Sequence, residues 1–278
     1  MYSIDMVVKE LVLSSDEIDS QIWDLLSSGL SGGIPQEVLT IARGRKRSYK
    51  TYITAIKPSV KDIKSFIVAD LETILINSIH KPYAAGYLVI EQGIEIGALQ
   101  DYKFITFFSE NYNPDLSNFQ DRSNKTIFGF LKSLEKIANF IGIRVVYFHN
   151  FSRFDGIMIL KYYTTYGGIY TIKPLMRNLR IYTLEVYKGK KEVLIFRDSL
   201  TLLPGSLAEF AKTICPHLGC KGSILHNEVN LSTLQNQRNQ LLDYMKQDIR
   251  PLARVVYKAQ EIYWTKFGIV ITSCLTLS

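Results

Sequence analysis

Cysteine is scarce: Cys215, Cys220 and Cys274 are the only three in 278 residues. They are too few and too unevenly placed for a disulfide framework, which points to a reducing compartment. No run of about eighteen apolar residues occurs, so no membrane span is expected. The opening residues lack the arginine excess of a transit peptide and carry Asp5, Glu10, Asp16, Glu17, Asp19 and Asp24 instead, which argues against an imported organellar precursor. Internal repeats and low-complexity tracts are absent too. What the chain does have is apolar content, 47% of it, ample for one large domain with an extension or for two small domains. Its 33 Lys and Arg against 26 Asp and Glu give a formal charge of +7. That excess favours a polyanionic partner but decides nothing alone, because many proteins with no nucleic acid to bind share it.

Residues 1–60 read as an N-terminal extension of unassigned role. It holds a flexible turn, "SSGLSGGIPQ", and a basic run, "ARGRKRSYK", whose preferred reading is a solvated face rather than a nucleic-acid contact. Beyond it the pattern becomes regular. "SFIVADLETILI", "YAAGYLVIEQG" and "YKFITFF" read as strands. In "TIFGFLKSLEKIANFIG" the residues Ile127, Leu131, Leu134, Ala138 and Ile141 recur at helical spacing, and Gly142 should stop the helix. "IRVVYFHN" is a further strand, "FDGIMILKYYTTYG" a helix, and "LRIYTLEVYKGKKEVLIF" a hairpin turning at Lys188-Gly189. The last helix runs through "LSTLQNQRNQLLDYMKQDIRPLARVVYKAQEIYW", with an apolar stripe of Leu242, Met245, Ile249, Leu252 and Val256 and a kink expected from Pro251. Alternating strands and helices predict an α/β class, a mixed sheet covered by helices.

Three acidic sites stand out on this frame. Asp70 and Glu72 sit two apart in the first strand and therefore on one face. Paired carboxylates in a buried strand repel and lose hydration unless a cation or a proton neutralises them, and hard oxygen donors suit Mg²⁺ or Mn²⁺. The competing reading is an edge strand whose polar face meets water. Asp155 lies where a strand gives way to a helix, the position at which α/β folds hold ligands, although a plain helix N-cap would look the same. Tyr244 and Asp248 are one helical turn apart beside the apolar stripe, which is also what an ordinary surface pair would show.

The order Asp-x-Glu on a strand, Asn with Phe-Asp after a strand, and Tyr-x-x-x-Asp on a helix resembles the three exonuclease motifs of family B DNA polymerases. The likeness is closest to the protein-primed subgroup of bacteriophages and mitochondrial linear plasmids. Thr73 follows the first motif as in that subgroup. "YFHN" and "FDG" match the second, with three residues between Asn150 and Phe154 where the phage enzymes have two. "DSLTLLP" supplies Ser199 and Leu200, like the subgroup's single-strand contact motif, and Lys221 opens "KGSI", like its Lys-x-x-hydrophobic motif.

The resemblance covers about residues 60 to 260 and implies a ribonuclease H-like (DnaQ-like) 3'-5' exonuclease fold with an inserted β-hairpin. It divides the chain into the extension, an exonuclease domain at 61–262 and the start of a polymerase region at 263–278. By the same resemblance Asp70, Glu72 and Asp248 hold one divalent cation, Mg²⁺ or Mn²⁺, and Asp70 with Asp155 a second. Tyr244 orients the attacking water and Lys221 steadies the scissile phosphate. Thr73, Tyr147, His149, Asn150, Phe154, Ser199 and Leu200 grip the frayed end. The implied partners are single-stranded DNA 3' ends and a terminal-protein primer, and the implied setting is mitochondrial, encoded by organelle or plasmid. Neither a Ser-Leu-Tyr-Pro-type motif nor an Asp-Thr-Asp motif of the synthetic half occurs, so the chain reads as the N-terminal part of such a polymerase. A non-catalytic relic that binds single strands, and a stand-alone exonuclease acting on RNA, are the alternatives. Cys215, His217, Cys220 and His226 could together suggest zinc, but their spacing matches no common finger, and a loop with reduced thiols is preferred.

Overall fold

The computed structural model describes residues 65–93, 102–113, 115–165, 167–177, 180–214 and 229–274. Strand β1 (Phe66–Ile76) is apolar on both faces: Phe66 and Val68 join one core, while Ile67, Ala69 and Leu71 join another. It turns through Asn77 and Ser78, both at positive φ, into β2 (Ile79–Ile90), which pairs with it antiparallel. That tight turn lets β2 begin earlier than the apolar pattern indicated. β3 (Ile105–Phe108) pairs with the far side of β2.

Helix α1 (Phe119–Ile141) is capped by the Asn118 side chain and ends at Gly142 in the left-handed conformation, as the sequence pattern predicted. β4 (Val145–Phe148) then runs parallel to β1 and leads to α2 (Asp155–Thr165). β5 (Tyr170–Arg177), β6 (Arg180–Lys188) and β7 (Lys191–Asp198) form an antiparallel meander whose last strand returns parallel to β4. Lys188 pairs with Lys191, so the hairpin turns at Gly189-Lys190, one residue beyond the expected position, where Gly189 supplies the positive φ. β5 was not foreseen. Its Pro174 breaks the strand pattern, and the strand lies at the sheet's edge, where a missing N–H is tolerated.

The seven strands stand in the order β3-β2-β1-β4-β7-β6-β5, a mixed sheet flanked by helices. α1 and α2 cover one face. The other is covered by α3 (Leu207–Ile214) and the long α4 (Arg238–Phe267). α4 starts later than its sequence pattern, after turns over 231–237, and the boundary expected at residue 262 falls inside it. Leu242, Met245, Ile249, Leu252 and Val256 are all buried against β1 and β2, as the stripe predicted. At Asp70 and Glu72 β1 is paired with β2 alone, because its ladder with β4 ends at Val68, yet Glu72 is buried, so this face does not meet water as the edge-strand reading requires.

Two glycines separate a soft contact from a hard one. A Cβ on Gly86 would lie 2.6 Å from the Met245 Cε, the free end of a flexible side chain, whereas one on Gly156 would lie 2.8 Å from the Phe151 carbonyl oxygen. Gly156→Ala should therefore destabilise the fold by about 1–3 kcal/mol, and Gly86→Ala by less. Urea midpoints of the two variants check this; equal losses would contradict it.

Candidate active site

The parity of β1 directs its acids. Phe66 and Val68 face α4, and with a period of two so do Asp70 and Glu72. From the opposite side α4 presents Tyr244 and Asp248, one turn apart. Carboxylate oxygens of Asp70, Glu72 and Asp248 come within 4.8 Å of one another, with Glu72 and Tyr244 buried and the two aspartates half-buried.

Asp155 reaches the same region from a third element. The β1–β4 ladder consists of Ile67–Val146 and Val68–Tyr147, so the part of β1 that carries Asp70 extends past it. Asp155 is the first residue of α2 and is buried. Burial first, then the negative charge of Asp70 and less strongly that of Asp198, push its carboxyl well above the usual carboxylate range, against backbone hydrogen bonds from its own N–H and that of Leu71. Its Oδ1 is buried with no hydrogen-bond partner among the described residues. Three carboxylates within 4.8 Å of one another, and a fourth, Asp155, with a buried oxygen that lacks a donor among the described residues, offer hard oxygen donors that fit divalent cations of the Mg²⁺ or Mn²⁺ kind.

Asp198, at the end of β7, organises the residues around this cluster. Its Oδ1 accepts the backbone N–H groups of Asn150 at 3.0 Å and Leu200 at 2.9 Å, and its Oδ2 accepts that of Ser152 at 3.0 Å. Asn150 is held at φ +64. One carboxylate thus ties the exit of β4 to the helical turn Ser199–Leu202. His149 Nδ1 and Ser199 Oγ, 3.0 Å apart, join the same two segments. Phe154 is half-buried, with its ring edge-on to His80 at 4.7 Å between centroids, and His80 Nδ1 lies 3.1 Å from Thr73 Oγ1.

One expected contact residue lies in the core. Tyr147 is fully buried, paired with Val68 and edge-on to Phe66, in the core beneath α4. Burial pushes its hydroxyl up to about 12, partly offset by the neighbouring Arg197. Its ring lies in the core beneath α4 and not on the surface. Lys221 and the group Cys215, His217, Cys220 and His226 lie outside the described residues.

Three residues escaped the sequence reading. Asp198 had a signal, an acid just before a helical turn, which is the N-cap pattern. Tyr83 had none: it is the extra residue of the β1–β2 bulge, where Glu72 pairs with Ala84 and Thr73 with Pro82. Burial, then Glu72, Tyr244 and Asp70, raise its hydroxyl far above the ordinary tyrosine value, so it stays a neutral phenol against the acids. His80 carried no motif.

Residues 143–240 and 232–278 match the family described as DNA polymerase type B, organellar and viral. A probable DNA polymerase of Neurospora intermedia is 46% identical over 68 residues, 22% of this chain and 7% of that protein. Phi29 DNA polymerase complexed with primer-template DNA is similar in fold at a TM-score of 0.52 and 18% identity, over 73% of this chain and 32% of that one. The same polymerase complexed with single-stranded DNA gives 0.51 and 18%, over 72% and 32%. The chain therefore spans about a third of the phi29 polymerase and under a tenth of the Neurospora protein.

Two outcomes test the electrostatics. Between the ordinary aspartate value and the raised value of Asp155, the folded chain holds a proton that the unfolded chain has released, so cation-free stability should fall as pH rises through that window. Asp155→Asn should flatten the decline and raise the melting temperature at neutral pH in chelator; an unchanged pH slope would contradict it. Asp198→Ala strands the buried Ser152 N–H and removes the acceptor of two half-buried donors, Asn150 and Leu200; it should cost about 1–3 kcal/mol for the buried donor and less for each of the others, read from urea unfolding.

Proposed function

We propose that this chain, which carries a region of a protein-primed type B DNA polymerase of the organellar and viral kind, provides a two-cation 3'-5' exonuclease that trims the end of single-stranded DNA during replication. The observation that carries the reading is the meeting of Asp70, Glu72 and Asp248 within 4.8 Å, with Asp155 buried beside Asp70. Asp70, Glu72 and Asp248 would hold one Mg²⁺ or Mn²⁺, and Asp70 with Asp155 the second. When bound, the pair supplies positive charge to the attacking and leaving oxygens of the terminal phosphodiester.

The chain's own side chains do the rest. Tyr244, on the helical turn before Asp248, orients the attacking water through its hydroxyl, and Lys221 steadies the scissile phosphate. Phe154 stacks on a base. Thr73, His149, Asn150, Ser199 and Leu200 hold the backbone without reading sequence. Water oxygen bonds to phosphorus as the bond to the 3' oxygen breaks, and that oxygen takes a proton as the strand shortens. In a parent polymerase this removes misincorporated primer ends, and the organellar family and the fungal relative support a mitochondrial or plasmid setting. The similarity to phi29 polymerase in complex with single-stranded DNA supports that strand as substrate; a terminal-protein primer would be a further partner.

A labelled single strand in Mg²⁺ should shorten from its 3' end, with Asp70→Ala and Asp248→Ala inactive yet folded, because removing one of several repelling acids relieves as much strain as it creates. Near-wild-type hydrolysis by either variant would falsify the assignment, and faster loss of an RNA strand would shift the substrate class. Phe154→Ala should weaken binding in Ca²⁺ by about 1–3 kcal/mol, the worth of one stacked base. Unchanged affinity would make the ring part of the packing around His80.

A further inference from the structure

Next to the terminal grip lies a cavity of about 400 Å³ between the start of β2 and the helices α1 and α2. This is within the size range of small-ligand sites. Its lining is mixed. Ile127, Met158 and Tyr162 are apolar and Lys81 and Lys161 are cationic, with neutral polar residues and no acid among the rest. Neither lysine forms an ion pair with a described residue. Loss of hydration, then the charge of Lys81, hold the Lys161 ammonium below its ordinary value. Two cations lining one partly apolar hollow with no acid between them present a setting for an anion.

The hollow is joined to the proposed strand path through His80. That residue lines the cavity, meets the Phe154 ring edge-on at 4.7 Å between centroids, and lies 3.1 Å from Thr73 Oγ1. A free inorganic anion would use the lysines and leave the apolar wall bare. A nucleotide uses both, phosphate on the cations and base on the apolar side.

We infer that this cavity seats a second nucleotide of the same single strand, with its phosphate at Lys81 and Lys161 and its base against Met158 and Tyr162. His80 is then a positioning residue that sets the angle between the two nucleotides through Phe154. The inference rests on the single-strand reading above and extends its grip beyond the terminal nucleotide.

The test is fluorescence anisotropy of the full 278-residue chain with labelled oligothymidylates of increasing length, in Ca²⁺ and across a salt series. Wild type is compared with the double variant Lys81→Gln/Lys161→Gln and with Lys161→Arg. The slope of log affinity against log salt should flatten in the double variant by roughly 0.7 for each phosphate that is no longer neutralised. The added affinity on lengthening the strand beyond one nucleotide should shrink with it, and Lys161→Arg should keep the wild-type slope. A double variant that is folded by circular dichroism and retains the wild-type slope overturns the inference. So does free thymidine monophosphate that binds wild type but not the double variant while strand binding stays the same, since the hollow would then hold released product. If wild type binds no single strand at all, the single-strand reading falls and this inference with it; if it binds normally and only the variant slope is unmoved, the reading stands and the inference alone falls.

Discussion

The geometry of the site depends on one buried carboxylate that is not among its candidate ligands. Asp198 accepts three backbone N–H groups from two chain segments that are far apart in sequence. Each bond to an ionised acceptor is stronger than a neutral one, and the buried Ser152 donor has no water to turn to instead. The segment after β4 has no ladder partner of its own and includes Asn150 at positive φ. Asparagine tolerates the left-handed region better than most residues, and the shared acceptor fixes that choice. Because Phe154 and Asp155 follow directly, the placement of both is set by a residue at the end of β7, remote from them in the chain.

The carboxylate cluster shows the opposite logic, in which burial and charge already present make Asp155 harder to ionise. Asp155 is lifted first by burial and then by Asp70 and Asp198, and Tyr83 first by burial and then by Glu72, Tyr244 and Asp70. Such mutual repulsion is tolerated because two packed cores support the site from outside it: apolar residues of β1 bury on both sheet faces, and the stripe of α4 holds Asp248 against β1. The fold loses stability at the place where it gathers carboxylates, and the packing of α4 offsets that loss.

Much of this arrangement was legible in the sequence because it follows from short periods. The two-residue repeat of β1 put Asp70 and Glu72 on one face, the four-residue step put Tyr244 with Asp248, and the helical spacing from Ile127 to Ala138 located α1. What could not be read depends on register and on tertiary contact. The bulge that inserts Tyr83 appears only when Glu72 is seen to pair with Ala84. Tyr147 lies on the same sheet face as the acids, but its depth is set by Val68 beside it and by the helix above, neither of which local sequence reveals. β5 was hidden by Pro174, which argues against a central strand and says little about an edge one.

That proline has a consequence for how the molecule behaves among copies of itself. An open sheet ends in rows of unpaired amides, and such rows recruit other chains. Here one lateral strand, β5, carries a residue that cannot donate, next to the exposed Lys173, and the other, β3, is only four residues long. A foreign strand would find an interrupted row at one margin and a short one at the other. The described sheet is thereby guarded at both sides against the edge-to-edge stacking that leads open sheets toward aggregation.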